Sequence, residues 1–441
     1  MKSPLRTSYP IAILAVVMAV LLPARSASGL RCDTDVVPAA TLLVPYFEVS
    51  LERPESLTTL FSVTNVDPGP ALVNVVLWTD LAVPTLSFEV YLAGFDVQTF
   101  NLKDLLIDGR LPVTGSAVSP HGPLSEPPVE FPGCNQGATP GAAPVYADPA
   151  LGPQELARLR AFHSGACFEG KIAGTWNGGS VARGYITIDV VQRCSGITPA
   201  DPGYFAGDGT GVAGDRNVLT GDFFLIEAQQ DYAQGEQAVH VEAFPGSFSS
   251  GDYTFYRRYV AASAIDNREP LGTQYMVRHI QGGGFDGGTQ FLVWRDTGSP
   301  EAEPWICGGA ESPPSWYGSD GMESFSVLIS EDGETAHSEE PGRQCDTIPC
   351  VLVRRFPGAT QSVPLDTGVF DVPPFGTQFG MSYINLRRAS TIDSEEWPVL
   401  QGWVVATNSA LGRFSVGRRA MRLDSACNPG PSLLAPADFP E

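Results

Sequence analysis

Glu227 closes the apolar run Phe223-Phe224-Leu225-Ile226, and His240 and Glu242 stand two positions apart in Ala238-Val239-His240-Val241-Glu242-Ala243. Residues two apart on a strand face the same side, so His240 and Glu242 line one surface. A pair of carboxylates flanking a glycosidic bond can hydrolyse it, one giving a proton and the other acting as base or nucleophile. Glu227 and Glu242 are therefore the candidate pair for a polysaccharide-directed hydrolase, with His240 beside them. The plainer expectation is an ordinary solvated strand face, with Val239, Val241 and Ala243 turned inward.

Two further groups carry chemistry. Asp201, Asp208, Asp215 and Asp222 recur along a glycine-dense connector that also holds Asn217. Hard cations take several oxygen ligands from a loop able to curl, so calcium is the one ion the sequence offers a place for. The spacing of an EF-hand is absent, and a plain polar loop fits the same residues. Trp305 lies in Trp305-Ile306-Cys307-Gly308-Gly309, Trp316 and Tyr317 in Ser315-Trp316-Tyr317-Gly318, and Trp176 in Gly174-Thr175-Trp176-Asn177-Gly178-Gly179. Flat rings on loops hold sugars or peptide partners. Their plainer role is to cover a core edge beside a disulfide.

Other chemistries are excluded by spacing. No G-x-S-x-G elbow occurs, and strand and helix do not alternate as that elbow requires. His163 stands near Cys167, but oxidation in a disulfide would remove the thiolate a nucleophile needs. No C-x-x-C pair exists, and His121, His163, His240, His279 and His337 lie too far apart for zinc spacing. No organic cofactor motif is present.

The chain as a whole sets the compartment. Lys2 and Arg6 precede the unbroken apolar run Ile11 to Leu22, and Pro23, Ser26, Ala27, Ser28 and Gly29 follow. This is the order of a secretory signal peptide over residues 1–29. A helix of that run spans about 18 Å, short of the roughly 30 Å hydrocarbon core, so no membrane insertion is expected after its removal. The net charge of −22 repels phosphate backbones and anionic membranes, which excludes nucleic acid as a partner. Cys32, Cys134, Cys167, Cys194, Cys307, Cys345, Cys350 and Cys427 form an even set in an exported chain and read as disulfides, with every pairing open. A secreted, periplasmic or cell-surface location follows.

The elements that must position these residues are strands. Leu60-Phe61-Ser62-Val63-Thr64-Asn65 and Val73-Asn74-Val75-Val76-Leu77-Trp78 flank the turn Val66-Asp67-Pro68-Gly69-Pro70, and Phe88, Val90 and Leu92 alternate in the next run. Strands resume at Gly184 to Val191, Phe223 to Ile226 and Ala238 to Ala243, and Tyr253 to Val260 reads as another. A Pro/Gly-rich excursion covers residues 112–165. Its one helix candidate is Pro153 to Phe162, opened by proline. Gly272-Thr273-Gln274-Tyr275, Gly288-Thr289-Gln290-Phe291 and Gly376-Thr377-Gln378-Phe379 echo one another as strand openers.

These patterns predict an all-β fold of two β-sandwich domains, residues 30–260 and 261–441, with at most a short helix. The arrangement resembles immunoglobulin-like or similar Greek-key modules of exported bacterial proteins at the level of fold alone. The Cys…Trp…Cys spacing of antibody domains is missing, so the resemblance implies no function. The leading expectation is a non-catalytic exported protein that binds carbohydrate or a protein at the cell surface, or serves in adhesion. The alternatives are the carboxylate-pair hydrolase and a structural subunit whose strand edges pair between chains.

Overall fold

A computed structural model describes residues 37–53, 55–112, 114, 124–126, 129, 131–134, 150–174, 179–207, 211–280, 287–307, 324–331, 336–338, 352–355, 358–365, 379–386, 401–410 and 414–424. The first half supplies β1 (Thr41–Ser50), β2 (Leu57–Asn65), β3 (Ala71–Thr79), β4 (Pro84–Leu92), β5 (Val97–Asn101), β6 (Lys171–Ile172), β7 (Val181–Val191), β8 (Leu219–Thr220), β9 (Asp222–Glu227), β10 (Tyr232–Gln237) and β11 (Val239–Val241). The second half supplies β12 (Gln274–Ile280), β13 (Gly288–Arg295), β14 (Trp305–Ile306), β15 (Ser324–Glu331), β16 (Ala336–Ser338), β17 (Leu352–Arg355), β18 (Thr360–Pro364), β19 (Phe379–Asn385), β20 (Gly402–Ala410), β21 (Phe414–Arg419) and β22 (Met421–Arg422).

Among the described residues all strand pairs are antiparallel. One sheet runs β11-β1-β7-β3-β4, and a second runs β10-β9-β2-β5 with β8 beside β2. A third runs β16-β15-β19-β12-β22 with β17 beside β15, and a fourth runs β18-β13-β20-β21. A two-stranded ribbon, β14-β6, joins a segment of each half.

The first sheet owes its place to strands that are apolar on both faces. Along β3, Ala71, Val73, Val75 and Leu77 enter one buried cluster with Phe61 and Val63 of β2 and Phe223 of β9. Leu72, Val76 and Trp78, the alternate positions, enter a second cluster with Phe291, Val293 and Trp294 of β13 and Val404 and Val405 of β20. Such two-sided burial explains why the β3 sequence reads as a nearly continuous apolar run. Pro45 breaks β1 without ending it. It sits where the β1–β7 register slips, between Val44 and Phe47, at a position that needs no ladder N–H.

Two helices occur among the described residues. The one expected from Pro153 runs from Pro153 to Ser164 (α2) and closes on Gly165 at φ 69°, a left-handed cap glycine adopts freely. The other, α1 (Leu102–Leu106), was not expected. Asn101 caps it by accepting the Lys103 N–H, which turns the chain out of β5. The expected strand over Tyr253 to Val260 is corrected. That segment holds a single 3-10 turn at Arg257–Tyr259, because Tyr256 is held by Asp266 and Asp189 rather than by a neighbouring strand. The glycine-led openers do lead into β12 and β13, and Phe379 begins β19, while residues 376–378 lie outside the described residues. No helix of the described residues is long and apolar enough to cross a membrane.

Candidate functional site

The densest polar chemistry lies where β1 and β7 meet the loops of residues 201–218 and 244–270. Thr41 of β1 and Asp189 of β7 are cross-strand partners, and the Thr41 hydroxyl donates to Asp189 Oδ1. The Tyr204 hydroxyl donates to Asp189 Oδ2 at 2.7 Å, and the Tyr256 hydroxyl reaches the same carboxylate at 2.9 Å. Arg268 completes the group: its Nε donates to Thr41 Oγ1 and its Nη2 to the Gly214 carbonyl at 3.0 Å, and it is ion-paired with Asp189, Asp266 and Asp215. Arg268 and Asp189 are fully buried. Isolated charges would be prohibitive there, so the hydroxyl and guanidinium donors are what make the carboxylate tolerable.

Burial first, and Asp189 second, push the Tyr204 and Tyr256 phenols well above their ordinary range, so both remain donors. Burial pulls the Arg268 guanidinium down, but Asp189 and Asp266 outweigh it and hold it above its usual value. Asp266 is raised by burial, with Arg268 opposing.

A cleft of about 150 Å³ opens beside this network. Arg268, Asp215 and Asn267 form its polar side, Phe205 and Phe248 its aromatic side, and Gln192 stands at the edge. Asn267 Nδ2 donates to Asp215 Oδ2 at 2.7 Å and so orients it. The Phe205 ring lies 5.9 Å from the Arg268 guanidinium carbon, a cation–π contact that fixes ring and charge together. Gly207 makes the loop geometry feasible: a Cβ there would fall 2.3 Å from the Ser263 carbonyl oxygen. The arrangement offers one aromatic wall and both donors and acceptors within a small concave space, which suits a neutral polar ligand.

The residues picked out by sequence are distributed differently. Asp215 lines the cleft. Asp201 is occupied locally, accepting from the Thr198 N–H and hydroxyl at 2.7 and 2.8 Å. Asp222 opens β9 and accepts from Ser62. Asp208 lies outside the described residues. No group of three or more His, Cys, Asp or Glu that could hold a metal occurs among the described residues. Trp305 is half-buried in β14, packed against Val83, Phe162 and Ala173 next to Cys307, in the edge-covering arrangement. Trp176, Trp316 and Tyr317 lie outside the described residues.

His240 stands opposite Leu42 in β11 and is buried rather than solvated, with Nδ1 2.6 Å from the Val37 carbonyl oxygen. Burial lowers its pKa. Glu242 follows β11, beside the Thr41 end of β1, and Glu227 lies beyond the other end of β1. The expected pair is therefore not brought together. Glu227 stands opposite Leu57 of β2 and Tyr232 of β10, and the acid whose charge acts on it is Glu48 of β1, which the sequence did not single out. Its signal was a lone acid in the otherwise apolar run Val44-Pro45-Tyr46-Phe47-Glu48-Val49. Glu48 accepts from Arg183 Nε at 3.0 Å and from the Tyr46 hydroxyl. Burial and then Glu48 raise the pKa of Glu227, with Arg53 opposing.

Two disulfides are described. Cys134 pairs with Cys194 and Cys167 with Cys307, at Cα separations of 4.9 and 6.0 Å. Cys167 is thus no nucleophile, and His163 beside it is bound to Thr85 and the Arg183 carbonyl. Cys32, Cys345, Cys350 and Cys427 lie outside the described residues. Comparison of the chain with family models, with curated proteins and with solved structures found no match.

Proposed function

We propose that this is an exported carbohydrate-binding protein that holds a neutral sugar unit in the cleft between Phe205 and the Asp215–Asn267–Arg268 side. The observation that carries this reading is the pairing of an aromatic wall with an oriented carboxylate and amide in one cleft, both set in place from behind by the buried Arg268. A sugar ring presents an apolar C–H face and a rim of hydroxyls that both donate and accept, and these two walls answer both features. Export is supported by the leader-like order of residues 1–29 and by two disulfides, which persist in oxidising compartments. An immunoglobulin-like, Greek-key kinship of the two halves belongs to the same proposal. Its support is the way β1, β2 and β3 alternate between the first and second sheets.

The test is a glycan array with the protein lacking residues 1–29, followed by calorimetric titration of the glycans retained. Asp215→Asn keeps the shape of the side chain and removes its charge, and Gln192→Ala trims the exposed edge. Each variant is expected to weaken binding by about tenfold, the equivalent of one lost hydrogen bond to ligand. Glycan binding unchanged in both variants, or no retained glycan, overturns the reading.

A further inference from the structure

We infer that the outer face of the second sheet, centred on Phe224, is a separate carbohydrate site that takes a flat, neutral polysaccharide chain. The inference rests on the carbohydrate reading only for the class of ligand, and its residues are not those of the cleft.

Strand register defines the face. Phe223 and Leu225 of β9, Phe61 and Val63 of β2 and Phe100 of β5 are buried, so the alternate residues of these strands turn away from the core. None of the outward positions along β2, β5, β9 and β10 is buried. Phe224 stands at the middle, 42% exposed, with Ile226 two residues along β9 and Leu60 directly across on β2. Strand side chains ordinarily stand upright from the sheet. The Phe224 ring instead leans over β10, where its cross-strand partner is Gly235. A Cβ on Gly235 would fall 2.3 Å from ring Cε1 and 2.6 Å from Cδ1, so glycine is what leaves the ring its room. A ring lowered in this way turns one π face to solvent. The C–H groups of a sugar stack on such a face with large contact area.

Hydrogen-bonding groups flank the ring. Asp222, two residues before Phe224, accepts from Ser62 Oγ at 2.5 Å through Oδ1, and its Oδ2 remains to accept. Beyond Leu60, Asn101 Oδ1 accepts the Thr58 hydroxyl at 2.7 Å and the Lys103 N–H at 3.0 Å. Those bonds orient the amide and leave its Nδ2 to donate. The row Gly235, Phe224, Leu60 and Asn101 crosses four neighbouring strands, about 14 Å. That length suits a run of sugar rings rather than one.

Charge selects the occupant. The chain carries a net charge of −22, yet Asp222 is the only charged residue among the outward positions. An acidic polymer would find no cation there, and a basic partner would find one carboxylate already engaged by Ser62. Pairing with a further strand is blocked at Ala233 of β10, because the Ser415 hydroxyl accepts its N–H at 3.2 Å and donates to its carbonyl at 2.8 Å. A ribbon of equatorially linked sugars, apolar on its ring faces and rimmed by hydroxyls, matches an open face of this composition.

The chain lacking residues 1–29 is run by affinity electrophoresis through soluble xylan, mixed-linkage β-glucan and galactomannan, and its retention on cellulose is measured. Retention by at least one of these polymers is expected. It should weaken about tenfold in Phe224→Ala, which removes the ring, and in Gly235→Ala, which lifts it. Phe224→Trp and Asp215→Asn should keep it, with thermal unfolding of Phe224→Ala close to wild type. Retention unchanged in Phe224→Ala, or absent in wild type on all four polymers, overturns this inference and leaves the cleft to be judged on the array glycans. Retention lost in Phe224→Ala, with array glycans indifferent to Asp215→Asn and Gln192→Ala, overturns the cleft and leaves this site standing. A concentration-dependent dimer seen by sedimentation, and missing in Phe224→Ala, overturns it by showing that a second copy covers the face.

Discussion

Asp189 shows what a single residue can do once folding places it. In the run Ile186-Thr187-Ile188-Asp189-Val190 it reads as the polar half of an alternating strand, and alternation alone assigns it to solvent. The structure buries that face instead, so the carboxylate must collect Thr41, Tyr204, Tyr256 and Arg268. None of these partners is near it in sequence, apart from Tyr204, which is why the network was invisible there. His163 is the same kind of residue and has a consequence for pH. It is buried between Thr85 and the Arg183 carbonyl, and burial lowers its pKa from 6.5 to about 4. Between those values the unfolded chain binds a proton that the native protein does not. Its contribution is therefore whole above the unfolded value and is lost as pH falls toward the folded one, by about 3 kcal/mol in all. His163→Gln is expected to cost stability at neutral pH and to flatten the decline on acidification. Urea midpoints at neutral pH and near the lower value check this. A decline as steep as wild type would mean that His240 and His279, also lowered, carry the dependence.

At the scale of elements, legibility followed the strength of the local pattern. The strands β2, β3, β4 and β7, and the helix opened by Pro153, follow the periodicity and punctuation of their own residues. The segment Tyr253 to Val260 has strand-like alternation and no strand, because tertiary bonds from Tyr256 to Asp266 and Asp189 outweigh local preference. The cleft was half legible. The glycine-dense connector and Asp215 stood out, whereas Arg268 and Asn267 come from a loop whose approach nothing local announces. Four of the eight cysteines, expected as disulfides, are bridged among the described residues, and their pairing had to come from the fold. Cys134–Cys194 pins the excursion after α1 to the chain leaving β7, and Cys167–Cys307 secures the β6–β14 ribbon. The bridged residues are 60 and 140 positions apart. In the chain-entropy picture, loops of those lengths make the bridges worth about 4 and about 5 kcal/mol. Replacing Cys167 and Cys307 together by Ser is expected to cost at least as much as replacing Cys134 and Cys194. Denaturant unfolding of the two double variants measures it. A larger loss for Cys134–Cys194 would show that native-state packing, rather than loop length, sets the order.

Across the whole molecule, the second buried cluster does not stop between the halves. Trp78 stacks on Tyr185 and Tyr259 with ring centroids 5.7 Å away, Tyr185 meets Trp294 edge-on at 5.9 Å, and Trp294 stacks on Phe255 at 5.5 Å. Polar links cross at the same place. The Thr360 hydroxyl donates to the Pro45 carbonyl, and the Ala359 N–H donates to the Asp80 carbonyl at 2.7 Å. Arg258, buried with its guanidinium over the Tyr259 ring, pairs with Asp296 at 2.5 Å and donates to the Tyr185 hydroxyl at 3.1 Å. Gln401 donates to the other Asp296 oxygen at 3.0 Å. A face shared this way cannot lose one half while the other stays folded without exposing large aromatic rings to water and breaking the Arg258–Asp296 pair. Calorimetric unfolding is therefore expected to give one cooperative transition. Asp296→Ala leaves Arg258 without its carboxylate and should cost about 3–5 kcal/mol, the range for breaking one side of a buried ion pair. That loss should lower the temperature of the entire transition. If Asp296→Ala instead splits the trace, with one component remaining at the wild-type temperature, the two halves unfold separately and the shared aromatic face contributes little to either.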